Sequence, residues 1–181
     1  MIVCLLFLFL SDRIVSIVVD WCLMMKLSKQ DLKILELLQI DVKTSVERLS
    51  EEVGLSTASI QRHLKRLRDN KVIAQEVAII SPNAVNQSMT FIISVQLNRS
   101  FNDCFNYFKN KVKNNNNIQQ CYYITGEADF VLIVTAKDME NFEEFTQLFF
   151  FSDIAVLHFK TSVVMGRTKV SLALPLNCVD I

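Results

Sequence analysis

Residues Cys121 to Val134 constrain this chain more than any other stretch. They read Cys-Tyr-Tyr-Ile-Thr-Gly-Glu-Ala-Asp-Phe-Val-Leu-Ile-Val. β-Branched and aromatic residues on both sides of a polar tip predict strand, tight turn, strand. Gly126, in the tip, can adopt a positive φ without steric cost. Asp129 can accept hydrogen bonds from nearby backbone amides. The tip therefore gathers the Thr125 hydroxyl, the bare backbone at Gly126 and the Asp129 carboxylate. Such a set can hold an amino acid by both of its ends. It also suits an ordinary hairpin, and both readings stand at this point.

The chain has 181 residues, enough for one ordinary domain or two small ones. Its formal net charge is zero, so the distribution of charge carries the information. Residues 25–80 hold ten Lys or Arg against eight Asp or Glu, and residues 81–181 hold eight against nine. Five bases (Arg62, Lys65, Arg66, Arg68 and Lys71) crowd into residues 56–71 against the single acid Asp69. A solvated helix face would have the same composition. The five cysteines show no CxxC spacing, which predicts reduced thiols and a cytoplasmic protein. His63 and His158 are the only histidines. With no metal-ligand spacing and no nucleophile–base pair, neither a catalytic site, a metal nor a cofactor is expected.

Met1 to Leu10 is an unbroken apolar run, interrupted by Asp12 and Arg13 before a second run from Ile14 to Val19. Neither run is long enough to span a bilayer. The basic n-region and small-residue cleavage site of a signal peptide are missing as well. No membrane partner is expected. Residues 1–24 read as a hydrophobic extension, with translation expected to start at Met24 or Met25. The alternative is a genuine apolar extension packed on the body or on a membrane.

From Ser28 onward the pattern turns helical. Ser28-Lys-Gln-Asp31 is a helix-start signal, followed by Leu32, Ile34, Leu35 and Leu38. Thr44-Ser-Val-Glu47 predicts a second capping box, with Val46, Leu49 and Val53 as its apolar stripe. Gly54 supplies a turn and Ser56 caps a third helix that buries Ile60, Leu64 and Leu67. Two short helices joined by a glycine turn form the helix-turn-helix pattern. The outward side of the third helix then holds Ala58, Arg62, Lys65 and Asp69. A recognition helix presents its amino-terminal half and outer face to the major groove of double-stranded DNA. Thr57, Ala58, Ser59, Arg62 and Lys65 are thus assigned to the groove, and Arg66 and Arg68 to phosphates. Arg62 is the expected base reader, because its fork matches the guanine edge. Val72-Ile73 and Val77 to Ile80 predict short strands of a wing, and Ser81-Pro82-Asn83 a hinge.

The remainder predicts a β-α-β-β-α-β order, an α+β ferredoxin-like sheet with both helices on one face. Met89 to Leu97 is a strand with Phe91, Ile93, Val95 and Leu97 to one side. A helix starts near Ser100 and carries Phe101, Phe105, Phe108 and Val112. After the hairpin, Asp138 caps a helix with Met139, Phe142, Phe145 and Phe149 inward. Val156 to Met165 is the last long strand, and Val170 to Leu174 is a candidate edge. Eleven of the 13 Phe lie between residues 91 and 159, so this half has the larger core. The uncovered sheet face predicts a partner, and pairing with a second copy is the simplest one.

Tyr122 to Leu132, followed by Ala136-Lys-Asp-Met139, resembles a signature of the Lrp/AsnC family of leucine- and asparagine-responsive regulators. The resemblance runs from about Leu27 to Leu176. It implies a winged helix-turn-helix over residues 25–80, a linker over 81–88, an effector-binding and oligomerisation (RAM-type) domain over 89–176, and a tail over 177–181. It implies an amino acid or similar metabolite as effector, and a homodimer with an octamer as the higher assembly. Carried over residue by residue, the effector site comprises Tyr123, Thr125, Gly126 and Asp129. Asp129 would pair with an ammonium group, and the amides near Gly126 with the Thr125 hydroxyl would hold a carboxylate. Two positions depart from the family pattern. His63 stands where an arginine is common, and Lys71 where a glycine is expected. Lys71 is therefore expected either to take a backbone conformation that favours glycine or to mark a locally different connection. His63 is expected to pack or make a helix contact.

Two rival readings remain. One is an enzyme resembling the two-domain proteins of haem-precursor decarboxylation, which would need basic residues and histidines around a tetrapyrrole cavity. The other is a metabolite sensor that has lost DNA binding.

Overall fold

The computed structural model describes residues 26–100 and 102–176. The expectations for residues 1–24, for Phe101 and for the tail 177–181 lie outside the described residues. Two units are present, one formed by residues up to 77 with those from 171, the other by residues 78–170.

In the first unit, helices α1 (Lys29–Ile40), α2 (Val46–Val53) and α3 (Thr57–Asp69) pack around Ile34, Leu35, Leu49, Ile60, Leu64 and Leu67. Each helix starts where a hydroxyl meets an otherwise unpaired backbone N–H. Ser28 and Asp31 form a reciprocal capping box on α1. Ser56 accepts from the Ser59 N–H on α3. On α2 the cap is Ser45, accepting from the Arg48 N–H, so the expected box on Thr44 is displaced by one residue. Thr44 instead donates its hydroxyl to the Asp41 carbonyl. Gly54 ends α2 at φ 75°, where a side chain would be strained. Of the two alternatives at Lys71 the structure has the left-handed conformation, at φ 56°. Its N–H closes on the Arg68 carbonyl, and that of Val72 on Leu67.

The expected wing strands are absent among the described residues. Val72 and Ile73 pack against the helical core. Val77, Ile79 and Ile80 lie exposed in unpaired chain. A strand needs a ladder partner, and this protomer offers them none. The candidate edge at Val170 to Leu174 is likewise unpaired. The Gln39 side chain instead clamps Leu174, accepting its N–H at 2.6 Å and donating to its carbonyl at 3.1 Å. Leu176 packs on the helical core.

In the second unit, β1 (Met89–Leu97), β2 (Ile118–Tyr123), β3 (Phe130–Ala136) and β4 (Val156–Val163) form one sheet in the order β2-β3-β1-β4. Every neighbouring pair is antiparallel. Helices α4 (Cys104–Lys113) and α5 (Met139–Thr146), the latter continued by a π-helical turn at Gln147–Phe151, bury their apolar residues against one face. This is the expected ferredoxin-like arrangement. Phe91, Ile93, Val95, Leu97, Phe130, Leu132, Val134, Phe108, Phe142 and Phe149 share that core. Burying one such phenylalanine stabilises the fold by about 1.5–3 kcal/mol.

Some boundaries differ from expectation. Helix α4 begins at Cys104, because Asp103 sits at φ 57° and breaks the turn before it. Met139 is exposed rather than inward. Strand β4 stops at Val163. Phe130, Leu132 and Val134 face the helices, so the open sheet face belongs to their neighbours. Ser94 lies opposite Val131 and Lys160, Ile92 opposite Ile133 and Ser162, and Gln96 opposite His158. That face is mixed rather than uniformly apolar.

Candidate functional sites

Helix α3 exists because an amphipathic stripe is capped by Ser56, and that stripe decides which residues reach solvent. With Ile60, Leu64 and Leu67 buried, Thr57, Ala58, Arg62 and Lys65 are exposed and Ser59 is half-buried. These five predicted groove residues lie together on the outer side. Neither Arg62 nor Lys65 forms an ion pair among the described residues.

The two predicted phosphate contacts are held differently. Arg68 makes a forked pair with Glu76, Nε at 3.1 Å and Nη2 at 2.7 Å from the carboxylate. That pairing raises the Arg68 pKa and lowers that of Glu76. Arg66 Nη2 lies 2.5 Å from Oδ2 of Asp31. Asp31 is fully buried. The same carboxylate accepts from the Ser28 N–H at 2.8 Å, from the Ser28 hydroxyl at 2.7 Å, and meets His63 Nδ1 at 2.7 Å. Burial alone would raise its pKa. The hydrogen bonds from His63, Ser28 and Arg66 outweigh that and hold the carboxyl well below the usual range. His63 is thus the helix contact expected from its position. The Asp31–His63–Arg66 cluster was not foreseen. Asp31 was legible only as a capping acid, because its other partners are 32 and 35 residues away. Ser59, Arg62, His63 and Arg66 line an open hollow of about 140 Å³ on this flank.

At the hairpin the four predicted effector residues differ in exposure and in what they touch. Thr125 and Gly126 are exposed at the tip, with Gly126 at φ 127°. Tyr123, half-exposed, lays its ring against Phe105 and Phe130, at centroid distances of 5.6 and 5.2 Å. Lys109 Nζ stands 5.3 Å from the centre of that ring. Asp129 is buried and already engaged. Its carboxylate accepts from the Leu97 N–H at 2.8 Å and from Arg99 Nη2 at 2.9 Å. Its own N–H donates to the Val95 carbonyl, and its carbonyl accepts from the Ile124 N–H. Asp129 therefore joins the base of the hairpin to the end of β1. Arg99 and Lys109, unmarked in sequence reasoning, bring positive charge beside the hairpin. Only the fold places them there.

Among the described residues no cluster of His, Cys, Asp and Glu could hold a metal ion, and no helix is long and apolar enough to cross a membrane. Cys104 is buried and Cys121 half-buried, both free thiols.

A helix-turn-helix with a cationic outer face and a separate ferredoxin-like unit with an elaborated hairpin define a two-unit regulator of transcription. The chain belongs to the Lrp/AsnC family of transcriptional regulators. Residues 27–68 match the AsnC-type helix-turn-helix domain, and residues 90–174 match the Lrp/AsnC ligand binding domain. It is 44% identical to the HTH-type transcriptional regulator y4tD of Sinorhizobium fredii, over 84% of this chain and 90% of that one. It is 34% identical to an HTH-type transcriptional regulator of Haemophilus influenzae, over 81% of this chain and 88% of that one. Among solved structures it resembles the complex of the transcriptional regulator NMB0573 from Neisseria meningitidis with L-Met. The TM-score is 0.80 at 32% identity, covering 84% of this chain and 98% of that one.

Proposed function

We propose that this regulator reads duplex DNA through α3 and answers to an amino acid bound at the Cys121–Val134 hairpin of a homo-oligomer in the cytoplasm. The observation that carries the DNA reading is the exposure of Arg62 and Lys65, without an ion pair among the described residues, beside Thr57, Ala58 and Ser59. Arg62 reads a base edge, and Lys65 adds a groove or backbone contact. Arg66 and Arg68 approach phosphates with their charge partly spent on Asp31 and Glu76, so each contributes less than a free arginine.

At the hairpin, the Thr125 hydroxyl and the exposed backbone at Gly126 receive the effector carboxylate, and the Tyr123 ring supports its side chain. Asp129 receives the ammonium group in place of the Arg99 guanidinium. The solved L-Met complex of the Neisseria meningitidis regulator supports an amino acid as the ligand class. An octamer of paired dimers would place hairpins from neighbouring copies together.

Selection of genomic fragments by the purified protein, followed by binding isotherms on the best fragment, tests the DNA reading. Arg62→Ala is expected to lose about 1–3 kcal/mol of discrimination between that fragment and a mismatched one. Equal discrimination by the wild type and Arg62→Ala would remove Arg62 from the groove.

A further inference from the structure

Ser59, Arg62, His63 and Arg66 are spaced at i, i+3, i+4 and i+7, so one flank of α3 presents all four to the same hollow. His63 is anchored there from α1, with Nδ1 2.7 Å from Asp31 Oδ1. Asp31 stays ionised, held so by its hydrogen bonds to His63, Ser28 and Arg66. A carboxylate can only accept, so Nδ1 must carry the proton that faces it. The nitrogen left open is then Nε2, which has no hydrogen-bond partner among the described residues. The charged groups facing the ring are Asp31 from α1, and Arg62 and Arg66 from α3 itself, with Arg66 Nη2 3.5 Å from Nδ1. No hydrogen bond or ion pair links His63 to α2 among the described residues.

We propose that this hollow seats a backbone phosphate of DNA, and that His63 takes up a proton at Nε2 when the phosphate enters, so duplex binding tightens as the pH falls. The inference rests on the DNA-binding reading of α3. A phosphodiester oxygen only accepts hydrogen bonds, so every group that faces it must donate. The Ser59 hydroxyl and the two guanidinium groups do so at any pH. A neutral imidazole presents a lone pair at Nε2, and only the imidazolium donates. The anion also offsets the third positive charge that protonation adds beside Arg62 and Arg66. The proton comes from solvent and no covalent bond changes. Histidine is the ordinary side chain that changes charge across this part of the pH scale. Because a phosphate carries no base identity, the effect belongs equally to unrelated sequences.

The test uses the full chain and a labelled duplex of unrelated sequence at constant ionic strength, read by fluorescence anisotropy. Between about pH 8 and about pH 6 the wild-type Kd is expected to fall by roughly tenfold. His63→Gln should bind with a Kd that does not vary with pH, and His63→Arg at the tighter level throughout. A pH-independent wild-type Kd, or the same slope in His63→Gln, would overturn this inference while leaving DNA binding intact. No duplex binding by the wild type at any pH would overturn the DNA reading with it. Inorganic phosphate titrated against the His63 ring protons separates a free anion from DNA as the occupant. Saturable binding of that ion beside a flat pH profile for duplex would also overturn the proposal.

Discussion

Asp31 in the first unit and Asp129 in the second are both buried aspartates that tie distant segments together, and the two differ in what they hold. Asp31 ties together the start of α1 and the flank of α3, through Ser28, His63 and Arg66. Asp129 ties the hairpin to the end of β1, through the Leu97 N–H and Arg99. Both carboxylates shed water and regain hydrogen bonds, the condition for tolerating a buried charge. Their arginines separate them. The Arg66 side chain is 43% exposed and Arg99 is 77% exposed. The helical unit has thus committed its arginine to the fold more fully. The sheet unit has left Arg99 largely in solvent, although the Asp129 carboxylate that it meets is buried.

The comparison can be broken at Asp31 first, where the largest effect is expected. Asp31→Ala removes a cap and leaves His63 and Arg66 without their acceptor. A loss of about 2–4 kcal/mol in the stability of α1–α3 is expected, less than for a fully dry ion pair because Arg66 reaches water. Amide exchange across α1–α3 measures it. Asp129→Ala comes next, with about 1–3 kcal/mol lost from the second unit, mainly because the Leu97 N–H loses its acceptor. Thermal unfolding with a probe in the sheet reads that change. Should the Asp129 variant prove the more damaged, the ranking of the two carboxylates would be reversed.

Acid sharpens the contrast. The folded-state pKa of Asp31 is depressed, so its contribution is complete above the unfolded carboxyl value near 4 and fades as the pH falls below it. Asp31→Asn should therefore flatten the acid limb of the stability curve below about pH 4. An unchanged limb would mean that other carboxylates govern acid unfolding. The smallest effect is expected at Arg99→Ala, about 1 kcal/mol in stability, because Arg99 is largely exposed and the Leu97 N–H still holds the buried carboxylate. If Arg99 blocks Asp129 against an incoming ammonium group, calorimetry with amino acids should show tighter binding in that variant than in the wild type.

Legibility followed range. The caps at Ser28, Ser56 and Asp138, the turn at Gly54, and the buried stripe of α3 involve residues within a few positions of one another. Each was readable before any fold was known. The register error at Thr44 and Ser45 came from adjacent hydroxyls, either of which can cap. The predicted wing strands failed because β propensity is satisfied only by a partner strand, which a linear reading cannot supply. Effector assignments at Thr125 and Gly126 remain open in the fold. Asp129, which looked free, is engaged by Leu97 and Arg99 from 30 or more residues away.

The sequence alone determined the helix-turn-helix, the β-α-β-β-α-β order and the basic outer side of α3, because caps, periodicity and turn chemistry act over one or two turns of chain. Tertiary structure decided which charges are free to act. Arg62 and Lys65 stand open, Arg66 and Arg68 are engaged, and His63 is fixed to a carboxylate on another helix. Electrostatic pairing depends on distance in space, and helix crossing and strand register set that distance.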